Sequence, residues 1–324
     1  MGLRDQKRGK NRSPEEKLND YLSQRRERTR TIYGNQLREL CDLWNASINE
    51  IAEVHRDYIK DDNPDGTKRA FLQWVKYATE EREPKLSKYS AEGYLKPLNA
   101  LFGVCGMAKI KYQYSTAHPK ASKRINLEQI KELLAGLSDL RMRAIILSLK
   151  DSGLRVSDLA QLTIEDFNKA QVHHDQQGNE YRAWATPLIS QKNQVEVHVH
   201  LGYESINALK AYIGNRVSGN IFIMSHKDAG QKVMKAKDMT IRVGYRCRNL
   251  KARGYRISAH SFRKFWLSDV TSHGMPESMA KWLCGKKIPA SDGAYYDWEG
   301  RETQIYMDVY NKALALDKTT LQVE

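Results

Sequence analysis

Apolar residues recur at helical spacing through the first hundred positions of the chain. Ser13, Pro14 and Glu16 match a capping box at the start of the first helix, and Asn45 and the turn over residues 61–66 mark breaks. The predicted helices cover residues 13–30, 35–44, 48–60, 66–80 and 88–103. This part of the chain is therefore expected to form a small all-helical unit.

The pattern becomes mixed in the second part of the chain. Strands are predicted over 181–188 and 195–201, and in the second of these apolar and polar residues alternate, which indicates a half-buried ribbon. The predicted helices cover residues 127–136, 139–151, 157–161, 204–213, 260–273, 276–284 and 301–315. The expected fold class is mainly α with a small β-sheet, in which an all-helical N-terminal domain precedes an α+β domain.

His198 and His200 fall on one face of the second predicted strand. Two histidines at this spacing are compatible with a metal site, but the sequence suggests no third ligand nearby. We therefore expect an exposed strand face and no bound metal.

The composition divides the chain into four segments. Residues 1–12 are basic and are expected to form a flexible tail, and residues 13–108 contain the predicted helical domain. Residues 109–123 are polar and lack helical spacing, which is typical of an interdomain linker. Residues 124–324 are then expected to form the second domain.

The chain is strongly basic, and the excess charge is shared by both halves. Its 324 residues include 53 Lys and Arg against 39 Asp and Glu, which gives a formal net charge of +14. Such a balance indicates a polyanionic partner, and nucleic acid is the first candidate. The densest basic stretch lies between residues 231 and 264. Candidate DNA-binding residues are Arg25, Arg26, Arg28, Lys68, Arg69, Arg242, Arg246 and Arg248.

The cysteine pattern and the lack of long apolar runs bear on location. The four cysteines lie far apart without a CxxC pair, so neither a zinc site nor a disulfide framework is expected. The chain contains no signal-peptide pattern and no run of 18 apolar residues. We therefore expect a cytoplasmic protein that does not interact with membranes.

Four short motifs with chemically active residues follow one another in the second domain. They are the turn DSGLRVSDL with Arg155 and Asp158, Lys192 just before a strand, the segment AHSFRKF with His260 and Arg263, and a Gly-Lys pair followed about nine residues later by Tyr295. Each motif alone is weak. In this order and at these separations they resemble the tyrosine recombinase (phage-type integrase) family, in the branch typical of archaeal and other prokaryotic mobile elements. The resemblance covers about residues 124–315, whereas the N-terminal helices match in size and position only.

The resemblance implies an α+β catalytic domain that cleaves and rejoins DNA through a 3′-phosphotyrosyl intermediate, without metal or ATP. Arg155 and Arg263 would stabilise the charge that develops on the phosphate, and Asp158 would support the site. His260 could accept the proton of the nucleophile, and Lys192 could donate one to the departing 5′-oxygen.

One motif departs from the family pattern. The family usually has Leu-Gly-His after the helix that carries the HxxR pair, whereas this chain has Lys286 at the histidine position. A lysine can still bond a phosphate oxygen, and Lys287 could serve instead. The departure leaves open whether activity is full, reduced or lost.

The nucleophile must be chosen among four tyrosines. The family places it about nine residues after the histidine position, which selects Tyr295, and a loop one residue longer would select Tyr296. Tyr306 and Tyr310 are four residues apart on a predicted helix, where packing is the expected use.

The family resemblance also implies an oligomeric state, and two alternative functions remain open. Recombinases of this family act as homotetramers on paired sites in double-stranded DNA, and the segment after Tyr310 is expected to pack on a neighbouring protomer. One alternative is a type IB topoisomerase, which uses the same chemistry to relax supercoils. The other is an architectural DNA-binding protein with decayed chemistry, for which the lysine at position 286 is the argument.

Overall fold

A computed structural model describes residues 12–61, 63, 65–114, 124–192, 194–226, 230–255, 257–288 and 300–316. The chain forms two compact units that meet in sequence at residues 119 and 120. Helices dominate both, and all strands of the described residues pair in small antiparallel sheets of the second unit. The predicted fold class is confirmed.

The first unit is entirely helical in its described part. Its helices are α1 (Pro14–Ser23), α2 (Glu27–Trp44), α3 (Ile48–Lys60), α4 (Gly66–Glu80), α5 (Lys88–Glu92) and α6 (Leu95–Val104). Phe71, Trp74 and Phe102 are among the largest side chains of a core to which every helix contributes. Burial of such apolar area is the main force that holds the unit together.

The capping box at Ser13 is confirmed, but the first helix ends earlier than predicted. The Ser13 hydroxyl accepts from the Glu16 amide at 3.2 Å, and the Glu16 carboxylate accepts from the Ser13 amide at 2.8 Å. The helix stops at Ser23 instead of Arg30. The apolar stripe of α1 ends at Leu22, and the Ser23 hydroxyl donates to the Asp20 carbonyl, in competition with the helical ladder.

The start of the predicted linker packs on the first unit. Ile110 is buried, and its amide and carbonyl bond the Asn99 side chain at 2.9 and 3.2 Å. The Tyr112 hydroxyl donates to Glu92 at 2.9 Å. Residues 115–123 of the predicted linker and residues 1–11 of the predicted tail lie outside the described residues.

The second unit surrounds the buried helix α8. Its helices are α7 (Leu127–Leu134), α8 (Leu140–Ser152), α9 (Val156–Leu159), α10 (Ile164–Lys169), α11 (Tyr203–Ile213), α12 (Ala236–Arg246), α13 (Arg248–Ala252), α14 (Ala259–Ser272), α15 (Glu277–Leu283) and α16 (Glu302–Ala313). Its strands are β1 (Gln171–His174), β2 (Glu180–Ala183), β3 (Leu188–Ile189), β4 (Glu196–Val197), β5 (His200–Leu201), β6 (Ile223–His226) and β7 (Gly230–Val233). The sheets are β1-β2-β5, β3-β4 and β6-β7.

The two predicted strands are each divided in the structure. β3 pairs with β4 as a hairpin, whereas β5 joins β2 in a different sheet. The prediction of one continuous ribbon over 195–201 is therefore wrong. The β6-β7 hairpin and the helices α12 and α13 lie between residues 223 and 252, where the sequence predicted no elements.

The predicted exposed histidine face is covered in the structure. His198 stacks on Trp282 of α15, with ring centroids 3.8 Å apart. His200 is 5% exposed, and its Nε2 lies 3.0 Å from the Thr303 hydroxyl of α16. The prediction of an exposed face is wrong because two later helices pack against it. No group of three potential metal ligands occurs within the described ranges.

The described chain ends on its own unit. Leu314 and Ala315 are buried, and the Leu316 amide donates to the Glu204 carboxylate at 2.8 Å. The segment predicted to reach a neighbouring protomer is thus packed in its own unit as far as residue 316, and residues 317–324 lie outside the described part. No described helix is long and apolar enough to span a membrane.

Candidate active site

Arg155 is presented by a tight turn at the end of α8. The turn begins at Gly153, whose φ of 60° is the left-handed conformation that favours glycine. A Cβ on Gly153 would also lie 2.5 Å from the Trp266 ring. The Arg155 Nη1 donates to the Ser190 hydroxyl at 3.2 Å and to the Gly285 carbonyl at 3.0 Å. The arginine is therefore held between the β3-β4 turn and the turn that follows α15.

Asp158 lies in the protein interior next to Ser190 and Arg155. Its carboxylate is fully buried and accepts from the Ser190 hydroxyl and from the Gln191 amide at 3.3 Å each. The Arg155 Nη1 lies 3.6 Å from Asp158 Oδ2, which is an ion pair rather than a close hydrogen bond. Asp158 therefore holds the Ser190 side chain and the Gln191 backbone next to Arg155.

Arg263 is buried near Arg155 and bonds the backbone of two loops of the site. It is 2% exposed, and its Nη1 donates to the Gly153 carbonyl at 3.0 Å and to the Cys284 carbonyl. Its Nη2 is buried without a hydrogen-bond partner among the described residues. Burial and then the nearby charge of Arg155 lower the pKa of the guanidinium. Buried donors are normally paired, so Nη2 is a donor that the described residues leave unsatisfied.

His260 lies one turn before Arg263 on α14, and its side chain is exposed. Partial desolvation lowers its pKa, and neighbouring positive charges lower it further. The cations responsible are Lys264, Arg263, Lys192 and Arg155. The imidazole is therefore neutral at neutral pH and can accept a proton.

Lys192 is exposed in the turn between β3 and β4. The turn is closed by the Ser190 amide on the Val195 carbonyl and by the Gln194 amide on the Ser190 carbonyl, both at 2.9 Å. Gln194 has a φ of 53°, which allows the tight return. Lys192 is thereby presented towards solvent within electrostatic reach of His260.

Lys286 and Lys287 follow the glycine that contacts Arg155. Gly285 has a φ of 66°, and a Cβ there would lie 2.5 Å from Val197 Cγ2 of β4. Both lysines are exposed, and the Lys286 amide donates to the Lys281 carbonyl at 2.8 Å. The lysine at the usual histidine position is therefore held at the edge of the site by its backbone.

The tyrosines divide into two pairs. Tyr295 and Tyr296 lie outside the described residues. Tyr306 and Tyr310 are buried in α16, and their hydroxyls donate to the Asp151 carbonyl at 3.0 Å and to the Asp151 carboxylate at 3.1 Å. Burial, with the charge of Asp151, raises the pKa of both hydroxyls well above 10. Both are packing residues, as predicted.

The predicted DNA-binding residues of the first unit occupy two exposed places. Arg25 and Arg26 lie in the connection between α1 and α2, and Arg28 is in the first turn of α2. Lys68 is 3.3 Å from Asp65, and the Arg69 guanidinium donates to Asn63 at 3.5 Å. All except the half-buried Lys68 are exposed, and surface pairs of this kind contribute little to stability.

Of the three predicted DNA-binding arginines in the second unit, one has a structural role. Arg246 donates to the Leu133 carbonyl at 3.0 Å and to the Ala135 carbonyl at 3.1 Å, so it satisfies carbonyls at the end of α7. Its prediction as a DNA contact is not supported, because Nε and Nη2 of the guanidinium already bond carbonyls of the chain itself. Arg242 and Arg248 remain exposed.

Sequence reasoning did not assign Gly153, Gly285 or Ser190 to the site, although it predicts Gly285 as the cap of the helix over 276–284. Gly153 and Gly285 carry a signal, since each follows a predicted helix where a left-handed cap is common. Ser190 carries none, because a serine near a strand end is common and only the folded hairpin brings it to Arg155.

The comparisons with known proteins agree with this geometry. The phage integrase family matches residues 123–297, which is more than half of the chain and contains every predicted catalytic residue. The chain belongs to the phage integrase family. Members of this family are tyrosine-type site-specific recombinases, so the predicted family and enzyme class are confirmed.

Solved structures similar to this phage integrase family member are distant in sequence. They include a lambda integrase (75–356) dimer bound to a core site (16% identity, 89% of this chain, 96% of that chain, TM-score 0.48). A Tn1549 transposon integrase with circular intermediate DNA has 16% identity over 73% of this chain and 84% of that chain, with a TM-score of 0.48. The integrase from mycobacterium phage Brujita has 15% identity over 95% of this chain and 94% of that chain, with a TM-score of 0.41. A search of curated protein sequences gave no match.

Proposed function

We propose that the chain cleaves and rejoins double-stranded DNA at specific sites through a 3′-phosphotyrosyl intermediate. The observation that carries this proposal is the convergence of four cationic or basic side chains from three segments of the chain. Arg155 and Arg263 donate to the carbonyls of Gly285 and Cys284, which are adjacent in the chain. Both arginines, together with Lys192, are close enough to His260 to lower its pKa. Such a concentration of positive charge suits an anion whose charge grows during reaction.

The two arginines are proposed to bind the scissile phosphate. Attack on a phosphodiester passes through a pentavalent state with more negative charge, and guanidinium groups offer fixed pairs of donors to it. The buried and unpartnered Nη2 of Arg263 supports this role. Arg155 is held only through Nη1 in the described part of the chain, which leaves further donors for the phosphate.

Proton transfer is proposed to involve His260 and Lys192. The tyrosine has an ordinary pKa of about 10, so its proton must leave during attack. His260 is suited to accept it because its lowered pKa keeps the ring neutral. Lys192, exposed on the hairpin turn, is proposed to donate a proton to the departing 5′-oxygen. Lys286 or Lys287 is proposed to bond a phosphate oxygen in place of the usual histidine.

Tyr295 is the proposed nucleophile, with Tyr296 as the alternative. The phosphotyrosyl link keeps the energy of the broken bond, so a 5′-hydroxyl from another strand can reverse the step without ATP or metal. The burial of Tyr306 and Tyr310 supports this choice, since neither hydroxyl is accessible to DNA.

The proposal also covers the contacts with DNA, the oligomeric state, and the location and origin of the protein. Exposed Arg25, Arg26, Arg28, Arg242 and Arg248 are proposed to contact backbone phosphates, together with Lys68 and Arg69. We further propose a homotetramer on paired sites, cytoplasmic location and origin in an archaeal or other prokaryotic mobile element. For assembly, the support is that structural neighbours include a DNA-bound lambda integrase dimer and a tetramer on a Holliday junction.

The proposal is tested by covalent trapping. Nicked suicide duplexes from a random-site library are incubated with wild type, Arg155→Ala and Arg143→Ala, and covalent adducts are separated on denaturing gels. Arg143 is an exposed arginine on the same helix that leads to Arg155, so it is the matched control. Adducts with wild type and Arg143→Ala but not with Arg155→Ala support the proposal. Tight DNA binding without any adduct contradicts it and favours the architectural alternative.

A second arm separates recombination from topoisomerase activity. Once a cleaved site is known, plasmids with two sites and plasmids with none are compared. A recombinase exchanges strands only between sites, whereas relaxation of the plasmid without sites supports a type IB topoisomerase.

A further inference from the structure

Ser190 lies between the arginine and the buried carboxylate of the site. Its side chain is fully buried. The hydroxyl accepts from Arg155 Nη1 at 3.2 Å and lies 3.3 Å from both oxygens of Asp158. A hydroxyl has one proton to donate and two lone pairs, so it can accept from Arg155 while it donates to Asp158.

This hydroxyl connects two groups that do not meet closely themselves. The direct distance from Arg155 Nη1 to Asp158 Oδ2 is 3.6 Å, beyond a good hydrogen bond. Arg155 and Asp158 are therefore connected by hydrogen bonds to the Ser190 hydroxyl between them. In a buried setting such a chain of polar contacts is strengthened, because each bond polarises the next.

The backbone of Ser190 has a separate task. Its amide bonds the Val195 carbonyl, and its carbonyl accepts from the Gln194 amide, so it closes the turn that carries Lys192. One residue thus holds Arg155 with its side chain and the Lys192 turn with its backbone. The relative position of the two cations depends on it.

We infer that Ser190 is a positioning residue for strand cleavage, which acts by fixing the Arg155 guanidinium against Asp158 and the Lys192 turn. This inference rests on the proposed cleavage of DNA. Ser190 itself does not touch the reacting atoms. An arginine side chain has many rotamers, and the two acceptors on Nη1 restrict that freedom before DNA arrives.

The test separates cleavage from binding. Single-turnover rates of adduct formation are measured at saturating protein on one suicide duplex, and affinity is measured separately on the intact duplex. For Ser190→Ala we expect the rate constant to fall about 10- to 100-fold, because small displacements of a catalytic group cost this much. Affinity should change less than about twofold, because it comes from many phosphate contacts.

Ser205→Ala is the matched control. Ser205 is also fully buried in the second unit, and its hydroxyl donates to the Gly202 carbonyl at 2.9 Å, away from Arg155. Each variant loses one buried hydroxyl, and Ser190→Ala also loses hydrogen bonds to charged groups, so its unfolding temperature should fall at least as far as that of Ser205→Ala. Only Ser190→Ala should cleave slowly. If Ser190→Ala is unfolded at the assay temperature, Ser190→Cys is measured instead, because a thiol is a weaker donor and acceptor.

A neutral substrate gives a second readout. When a methylphosphonate replaces the scissile phosphate, there is less negative charge for Arg155 to stabilise. The defect of Ser190→Ala should then shrink relative to wild type, whereas a general loss of folding would persist on both substrates.

The outcomes distinguish the two proposals. Absence of an adduct with wild type overturns the proposed function and this inference with it. Wild-type cleavage with an unchanged rate in Ser190→Ala overturns the inference alone. The inference is also overturned if Ser190→Ala and Ser205→Ala lose cleavage rate equally. The same holds if the rate defect of Ser190→Ala is equally large on the neutral substrate.

Discussion

Lys150 provides the sharpest prediction about stability, because it is a fully buried lysine at the centre of the second unit. Its Nζ lies 2.5 Å from Asp151 Oδ1 and 2.6 Å from Glu204 Oε2. It also donates to the Leu314 carbonyl at 2.7 Å and to the Tyr310 hydroxyl at 3.3 Å. The cluster joins the end of α8 to α11 and to the last turn of α16.

The expected loss in Lys150→Met follows from these contacts. Removal of one partner from a buried ion pair leaves an uncompensated charge and costs about 3–5 kcal/mol. Two carboxylates lose their cation here, so the upper part of this range is expected. For a unit of this size each kcal/mol lowers the unfolding temperature by about 2–4 °C, so a loss of about 4–5 kcal/mol gives a total of about 8–20 °C.

The assay is calorimetric unfolding of the full chain, which separates the transitions of the two units. Lys210→Met is the control, because Lys210 pairs with Glu180 at the surface and should lose less than about 1 kcal/mol. The double variant Lys150→Met/Asp151→Asn should regain part of the loss, since it removes one of the unpaired charges. A loss in Lys150→Met no larger than that of the control would refute the reasoning.

Three further predictions rest on separate features. In chemical unfolding, Gly285→Ala should lower the free energy of unfolding more than Gly136→Ala. Both glycines have a positive φ, but of the two only Gly285 lacks room for a Cβ, so equal losses of unfolding free energy would contradict this prediction. Burial lowers the pKa of His200 to about 4. Because the unfolded state binds the proton first, the free energy of unfolding should fall as the pH drops from 6.5 towards 4, by up to about 3 kcal/mol. His200→Gln should remove this dependence in pH-resolved unfolding, and its persistence would refute the assignment. Arg242→Ala should reduce the log-log salt slope of DNA binding by about 0.9, whereas Arg246→Ala should leave the slope unchanged and lower stability; the reverse result would overturn these roles.

The sequence predicted those parts of the site that are encoded locally. Arg155 with Asp158, and His260 with Arg263, are each three residues apart, and such spacing on a turn or helix already brings the side chains to one side. The glycine that follows α15 and the capping box at Ser13 are local signals of the same kind. They could be read without knowledge of the fold.

The remaining features depend on contacts between distant segments. His200 is covered by Thr303, which lies 103 residues further along the chain, so strand alternation alone could not predict its burial. Arg246 bonds carbonyls more than a hundred residues earlier, and composition cannot distinguish it from its exposed neighbours. Ser190 reaches Arg155 only through the β3-β4 hairpin.

The measurement that tests the central claim most directly is the identification of the residue that becomes linked to DNA. Adducts from suicide duplexes are digested with protease and nuclease, and the modified peptide is sequenced by mass spectrometry, with Tyr295→Phe and Tyr296→Phe analysed in parallel. The account predicts a phosphotyrosyl link at Tyr295 that is lost only in Tyr295→Phe. A link at Tyr296 would keep the chemistry and move the nucleophile by one residue. A link at neither tyrosine, or no adduct with tightly bound DNA, would contradict the account.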